Sequence, residues 1–220
     1  MDWSEHVTRE QERYRDGEER LPDAADADAR QRQLTRLGNA AYGAGLASLM
    51  AGDESGAREW FMRAVERYRE SFADAPPGSW GRPIATMKAR VLAGDWAGAE
   101  DAARWTLDED AAGAGSPIGK YAACLAQLIL EQDSEARVLA DDLRIRDGFP
   151  TDVADALAMI AAQDVVGYIE AVEEVLESFE KRDEHLEDVP VADTVLVLQA
   201  LAGRRGITAE LESPLLPASA

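Results

Sequence analysis

The side chains that most often bind metal ions or act as nucleophiles are scarce in this sequence. His6, His185 and Cys124 are its only histidines and cysteine, and their spacing does not match that of a zinc site. The acidic residues around His185, from Asp183 to Asp188, have the chemistry to clamp a cation, but a charged turn in an acidic chain is usually solvated. We therefore predict a solvated turn here, and neither a metal site nor a cofactor.

Sequence motifs of enzymes are also missing, since there is no phosphate-binding glycine loop, nucleophile elbow or catalytic triad pattern. With 43 acidic residues in the chain, paired carboxylates occur throughout, so no pair stands out as a general acid and base. Cys124 lies in an apolar run and is predicted to be a small buried hydrophobic residue. The sequence thus favours a protein that is not an enzyme. An enzyme or small-molecule binder with a pocket among its helices is the alternative.

Some aromatic and basic residues have the chemistry of protein-binding anchors. Trp80 and Arg82 stand in a bend rich in proline and glycine, ahead of a predicted helix over residues 84–92 that contains Lys88, one of only three lysines. In stacked helical hairpins, the first helix of each pair lines the concave binding face. The candidate partner-binding residues are therefore Trp80, Arg82, Lys88, Tyr42 and Tyr121. The alternative is that Trp80, Trp96 and Trp105 fill the core, while the nearby basic side chains offset the charge of neighbouring carboxylates.

The elements that must position these side chains are predicted to be helices. Hydrophobic residues make up 46% of the chain but aromatic residues only 6%, a balance that favours close helix packing over a β-sandwich. The Asp-Gly pairs at 16–17 and 147–148 do not lie between alternating apolar runs, as a β-hairpin requires. We therefore predict an all-α fold.

One segment has the clearest pattern of a helix, a turn and a second helix. Gly52 can take the left-handed conformation that ends the first helix, and Asp53 can accept the amide protons that open the second. From Ala57 onward, apolar residues recur with the helical period and form one stripe. The stripe consists of Ala57, Trp60, Phe61, Ala64, Val65, Tyr68 and Phe72.

This pattern returns three times in weaker form. Residues 93–99 repeat the Gly-Asp turn, residues 131–136 keep an aspartate cap at Asp133 without the glycine, and residues 162–168 keep only the cap at Asp164. The equivalent positions 57, 99, 136 and 168 are 42, 37 and 32 residues apart, whereas a strict tetratricopeptide repeat has a period of about 34. The segments resemble degenerate tetratricopeptide repeats. This resemblance implies a right-handed array of antiparallel helical hairpins, an α-solenoid.

The ends of the chain differ from this array. Residues 1–30 are predicted to form a charged amphipathic helix and a linker, residues 31–212 the helical-repeat domain, and residues 213–220 an extended C-terminal tail. The helical-repeat domain closes with an apolar helix over Val191–Leu201, which is bounded by Pro190 and Gly203.

The charge balance indicates the surroundings of the protein more than its ligand. The formal net charge is -20, and nearly all basic residues are arginine, as is typical of surfaces that stay hydrated in molar salt. This balance predicts a halophilic protein from a salt-accumulating, high-GC archaeon, and an acidic bacterial protein is the alternative. We expect no nucleic-acid partner, because no basic stripe is present to contact phosphates. We expect no membrane association and a cytoplasmic location, because no long apolar segment or signal sequence is present.

Two stretches are similar to a narrower family. Residues 80–84 leading into 89–95 resemble the central helix of the immunity protein 49 family, and residues 205–217 resemble its closing segment, although Pro214 and Leu215 differ from the aspartate and tyrosine expected there. This resemblance implies an all-helical protein that neutralises a cognate nuclease-type toxin.

The architecture by itself predicts a non-catalytic interaction module that binds a protein or peptide in a helical-repeat groove. The immunity function is an alternative, and the oligomeric state is left open.

Overall fold

The computed structural model describes residues 2–218, which contain ten α-helices and no β-strand. The all-α prediction is therefore confirmed for this part of the chain. None of these helices is both long enough and apolar enough to cross a membrane. The helices are α1 (Trp3–Arg20), α2 (Ala27–Met50), α3 (Glu54–Phe72), α4 (Gly81–Leu92), α5 (Trp96–Asp108), α6 (Pro117–Ile129), α7 (Asp133–Arg144), α8 (Thr151–Ala162), α9 (Val165–Glu180) and α10 (Asp193–Gly203).

The chain divides into two compact units. The first unit contains the residues up to Asp95, the segment Asp183–Val191 and the residues from Pro214 onward. The second unit contains Trp96–Arg182 and Ala192–Ser213. The segment 183–191, which includes a short 3-10 turn over Leu186–Asp188, thus returns to the first unit after most of the second unit has been completed.

Two helix junctions use the predicted Gly-Asp turn. Gly52 and Gly94 have φ values of 79° and 68°, which glycine adopts without steric cost. The amide of the following aspartate donates to the carbonyl five residues back, at 2.9 Å from Asp53 to Ser48 and at 2.9 Å from Asp95 to Arg90. Asp53 also caps α3 by accepting from the Gly56 amide. The predicted helix boundaries at these turns are confirmed.

The other two junctions have the same backbone without a glycine. Glu131 and Gln163 take left-handed φ values of 57° and 54°, and the following amides donate to carbonyls five residues back at 2.9 and 3.0 Å. Asp164 caps α9 as predicted. The predicted cap at Asp133 is wrong, because Gln132 occupies the cap position and Asp133 is the first residue of α7.

In the first unit, α2 packs between α1 and α3. The predicted α3 stripe is buried except for Phe72, which is partly exposed. Its rings close tightly on glycines of α2, since a Cβ added at Gly38 or Gly45 would lie 2.7 Å from Tyr68 or Phe61. The small residues of α2 therefore let α3 approach its backbone.

In the second unit, successive helices from α5 to α9 pack on one another, and α10 packs on α8 and α9. Cys124 lies fully buried in α6, as predicted, and burial raises the pKa of its thiol. Val165 begins α9 and is exposed, whereas Tyr168, Val172 and Phe179 on the same helix are buried.

Two boundaries differ from the predicted ones. The last helix begins at Asp193 rather than Val191 and ends at Gly203 rather than Leu201. Helix α4 begins at Gly81, so Arg82 lies in its first turn rather than in a preceding bend. Within the predicted tail, Leu216 is buried, while residues 219–220 lie outside the described residues, as does Met1 of the predicted N-terminal segment.

Candidate functional site

Tyr42 is placed in the core of the first unit rather than at a groove. Only 2% of the residue is exposed, and its ring meets the ring of Phe61 edge-on at 5.5 Å between centroids. Helices α1 and α3 cover α2 from two sides. The face of α2 that carries Tyr42, which we predicted to contact a partner, is thus covered by the protein's own helices.

Trp80 and Lys88 are also buried, at 9% exposure each. Arg82 is partly buried, and its Nε donates to Ser71 Oγ at 2.7 Å while its guanidinium bonds Gln31 Oε1. Burial without a carboxylate partner lowers the pKa of Arg82 from its ordinary value. Arg82 therefore ties α4 to α2 and α3 from within the first unit.

Tyr121 belongs to the second unit, where it is buried in α6. Its ring lies 5.3 Å from that of Phe149, measured between centroids. Burial raises the pKa of its hydroxyl well above the ordinary value. Its position is that of a core residue.

A groove with the chemistry of a binding surface lies elsewhere in the first unit, between α1 and α3. We call it the Trp60 groove, and its volume is about 600 Å³. Its lining alternates aromatic, basic and acidic side chains. The lining residues are Gln11, Tyr14, Arg15, Glu18, Trp60, Arg63, Glu66 and Arg67.

Helical periodicity positions this groove. On α1, residues 11, 14, 15 and 18 stand one turn apart along one face, and on α3, residues 60, 63 and 67 do the same. From the sequence, residues 1–30 were predicted to be a charged segment separate from the repeats, so a groove between α1 and α3 was not predicted. The signal was present on α3, where Arg63 and Arg67 follow Trp60 at helical spacing.

Two aromatic rings form the floor of the groove, each contacted by an arginine. Tyr14 and Trp60 pack edge-on at 5.4 Å, and the Arg63 guanidinium lies 4.2 Å from the Trp60 ring centroid. Arg67 donates to the Tyr14 hydroxyl at 3.0 Å. Burial raises the pKa of Tyr14, although the hydrogen bond from Arg67 opposes that rise.

Arg63 and Arg67 differ in how many of their N–H donors already form hydrogen bonds within the protein. Arg67 bonds Glu18 at 2.7 Å and Glu70 at 3.1 Å in addition to Tyr14. Within the described part of the chain, Arg63 has a single ion pair, with Glu59 at 2.5 Å, on the exposed face of the helix. A guanidinium has five N–H donors, so Arg63 has donors left for a partner.

A second polar network joins α1 to the segment 183–191. Arg9 donates to the backbone carbonyls of Glu187 and Asp188 at 2.9 and 3.2 Å, and the Glu187 carboxylate pairs with Arg13. Asn39 also donates to Glu187 Oε1 at 3.1 Å. The prediction of a fully solvated turn is therefore wrong at Glu187, whose side chain is 14% exposed.

Among residues 2–218, no group of three or more His, Cys, Asp or Glu side chains is arranged to hold a metal ion. No protein-family model, curated protein or solved structure matches the chain.

Proposed function

We propose that this protein is a non-catalytic interaction module that binds a protein or peptide partner on the Trp60 groove. The observation that supports this function most directly is the partly exposed Arg63 guanidinium, which lies over the Trp60 ring, while Trp60 and Tyr14 are themselves largely buried beneath it. Tryptophan, tyrosine and arginine are the residue types that contribute most binding energy in protein interfaces.

The charge of the groove favours a partner that brings acidic groups. Acidic residues outnumber basic ones by 43 to 23 in the whole chain, but Arg15, Arg63 and Arg67 outnumber Glu18 and Glu66 in the groove. The lining residues thus carry one positive charge in excess, although Glu59 and Glu70 beside the groove pair with Arg63 and Arg67. A local contrast of this kind with the acidic rest of the protein orients an approaching partner.

We also propose that the helical hairpins are degenerate repeats of the tetratricopeptide type, arranged as an α-solenoid. This proposal is supported by the recurrence of one backbone turn at residues 52, 94, 131 and 163. Retention of a backbone geometry after loss of its glycine is expected of repeats that have diverged in sequence.

The binding proposal is tested by affinity capture from cells of the source organism at their own salt concentration. The bait proteins are the natural chain, Arg63→Ala and the control Arg104→Ala, which removes an exposed arginine of α5 paired with Glu100 at 3.0 Å. We expect the natural chain and the control to retain one protein, and Arg63→Ala to bind it at least about tenfold more weakly.

Equal binding by Arg63→Ala, or no retained protein, would contradict the proposal. The identity of the partner also separates the functions, because a nuclease-type toxin domain would favour the immunity function. An acidic surface is suited to cover the basic face of such a domain.

A further inference from the structure

A second pocket, of about 410 Å³, lies between α1 and α2 in the first unit. We call it the Arg36 pocket, and it is separate from the Trp60 groove because it opens between a different pair of helices. Residues 13, 16, 17 and 20 of α1 face residues 33, 36, 37 and 40 of α2 across it. Each set has the spacing of one helical face.

Close contact of the two helices forms the base of this pocket. A Cβ added at Gly17 would lie 2.7 Å from Leu37 Cδ2, so glycine allows α1 to approach α2. Gln33 Nε2 donates to the Gly17 carbonyl at 2.9 Å and fixes the pairing of the helices. The charged side chains of both helices are therefore held around a small, defined space.

The charges around the pocket are not balanced. Arg13, Arg20 and Arg36 line it together with only Asp16 and Glu187, although acidic residues outnumber basic ones in the whole chain. Arg13 pairs with Glu187, and Arg20 lies 3.6 Å from Asp16.

Arg36 has no such partner. Its guanidinium forms no ion pair and no hydrogen bond with any side chain or carbonyl among residues 2–218. In a chain with 43 carboxylate residues, an arginine at a pocket without a carboxylate partner has its donors available for a ligand.

We propose that the Arg36 pocket binds a small ligand through a phosphate or carboxylate group, with Arg36 as the principal donor and Arg20 as the second. The planar guanidinium offers two parallel N–H donors that match both oxyanions. The exposed pair of Arg20 with Asp16 is weak in water, so a ligand oxyanion competes with it at little cost. The volume exceeds that of a single oxyanion and leaves room for the rest of a small molecule.

Isothermal titration at constant ionic strength tests this site with inorganic phosphate and with succinate as separate probes. A saturable signal is needed because phosphate also stabilises proteins without binding them. The variant Arg36→Gln is compared with Arg32→Gln, which changes an exposed arginine of the same helix that pairs with Asp28. Circular dichroism verifies that both variants fold.

We expect saturable binding of at least one probe by the natural chain and by Arg32→Gln. Arg36→Gln is expected to bind that probe at least about tenfold more weakly, which corresponds to about 1.4 kcal/mol. The probe that binds identifies the oxyanion class. Absence of saturable binding for both probes, or equal binding by Arg36→Gln, would overturn the proposal.

Discussion

The first unit buries a carboxylate, whereas the second unit buries a guanidinium. Glu10 is fully buried in α1 and accepts from Arg9 at 2.8 Å and from Arg13 at 3.2 Å, which lie on the same helix. Arg205 has a side chain only 4% exposed and contacts Asp133, which lies 72 positions away in the sequence.

The partners of these two ions differ in their access to water. Arg9 and Arg13 are each more than a third exposed, so solvent stabilises them even without Glu10. Arg205 donates to both oxygens of Asp133, at 3.0 and 3.2 Å, and to the carbonyls of Leu128 and Leu201 at 2.9 Å each. Arg205 therefore joins the end of α6, the start of α7 and α10. We expect the stability of the second unit to depend more on Arg205 than that of the first unit depends on Glu10.

The largest expected effect comes from removing the buried guanidinium. Arg205→Met removes the cation that pairs with Asp133 and one donor from each of two carbonyls, and loss of one partner of a buried pair typically costs about 3 to 5 kcal/mol. Denaturant unfolding followed by circular dichroism measures the loss. The control Arg104→Met removes an exposed arginine and should cost less than about 1 kcal/mol. Equal costs for the two variants would remove the distinction between buried and exposed arginines.

Glu10→Gln is expected to have the next largest effect. It removes the charge that Arg9 and Arg13 surround, and a hydrogen bond to a charged group contributes about 1.5 to 3 kcal/mol. The matched change Glu12→Gln alters an exposed residue of the same helix and should leave the unfolding midpoint nearly unchanged. A cost for Glu10→Gln that exceeds that of Arg205→Met would reverse the order of the two units.

Local patterns in the sequence predicted local structure well. The helical period located the buried stripe of α3, and the Gly-Asp turns located two junctions, because both depend on neighbours within one or two turns. Glu131 and Gln163 gave no such signal, since neither residue favours the left-handed backbone they adopt.

Features that depend on distant residues were not predicted. The pairing of Arg205 with Asp133 joins residues too far apart for any periodic pattern to relate them. The burial of the candidate residues Tyr42, Trp80 and Tyr121 could not be decided from the sequence, because tryptophan and tyrosine suit both a core and an interface. Tyr42 is covered because α1 and α3 pack on α2, whereas the Arg63 side chain on α3 is partly exposed.

Gly52→Ala tests how much the left-handed junction between α2 and α3 contributes to the stability of the first unit. A Cβ at Gly52 meets no atom within 4 Å, so the expected loss of about 1 to 2 kcal/mol arises from the left-handed backbone alone. Thermal unfolding measures it. Gly81→Ala, where a Cβ also meets nothing and the backbone φ is not positive, should be neutral or stabilising.

The smallest effect is expected from His6 in α1. Burial lowers the pKa of His6 from 6.5, so the unfolded chain takes up its proton first as the pH falls. The stability of the first unit should therefore decline from about pH 6.5 down to the folded pKa, and level off below it. The variant His6→Phe removes this titration, and the difference in unfolding free energy between the two proteins should change only in this window. A constant difference across that window would exclude a role for His6.

The return of residues 183–191 to the first unit affects the order in which the protein can fold during synthesis. Nascent domains generally fold from the N-terminus as they leave the ribosome. Here Arg13 and Asn39 contact Glu187, and Glu187 is translated only after α5 to α9. The first unit can therefore complete these contacts only after nearly the whole polypeptide has been made.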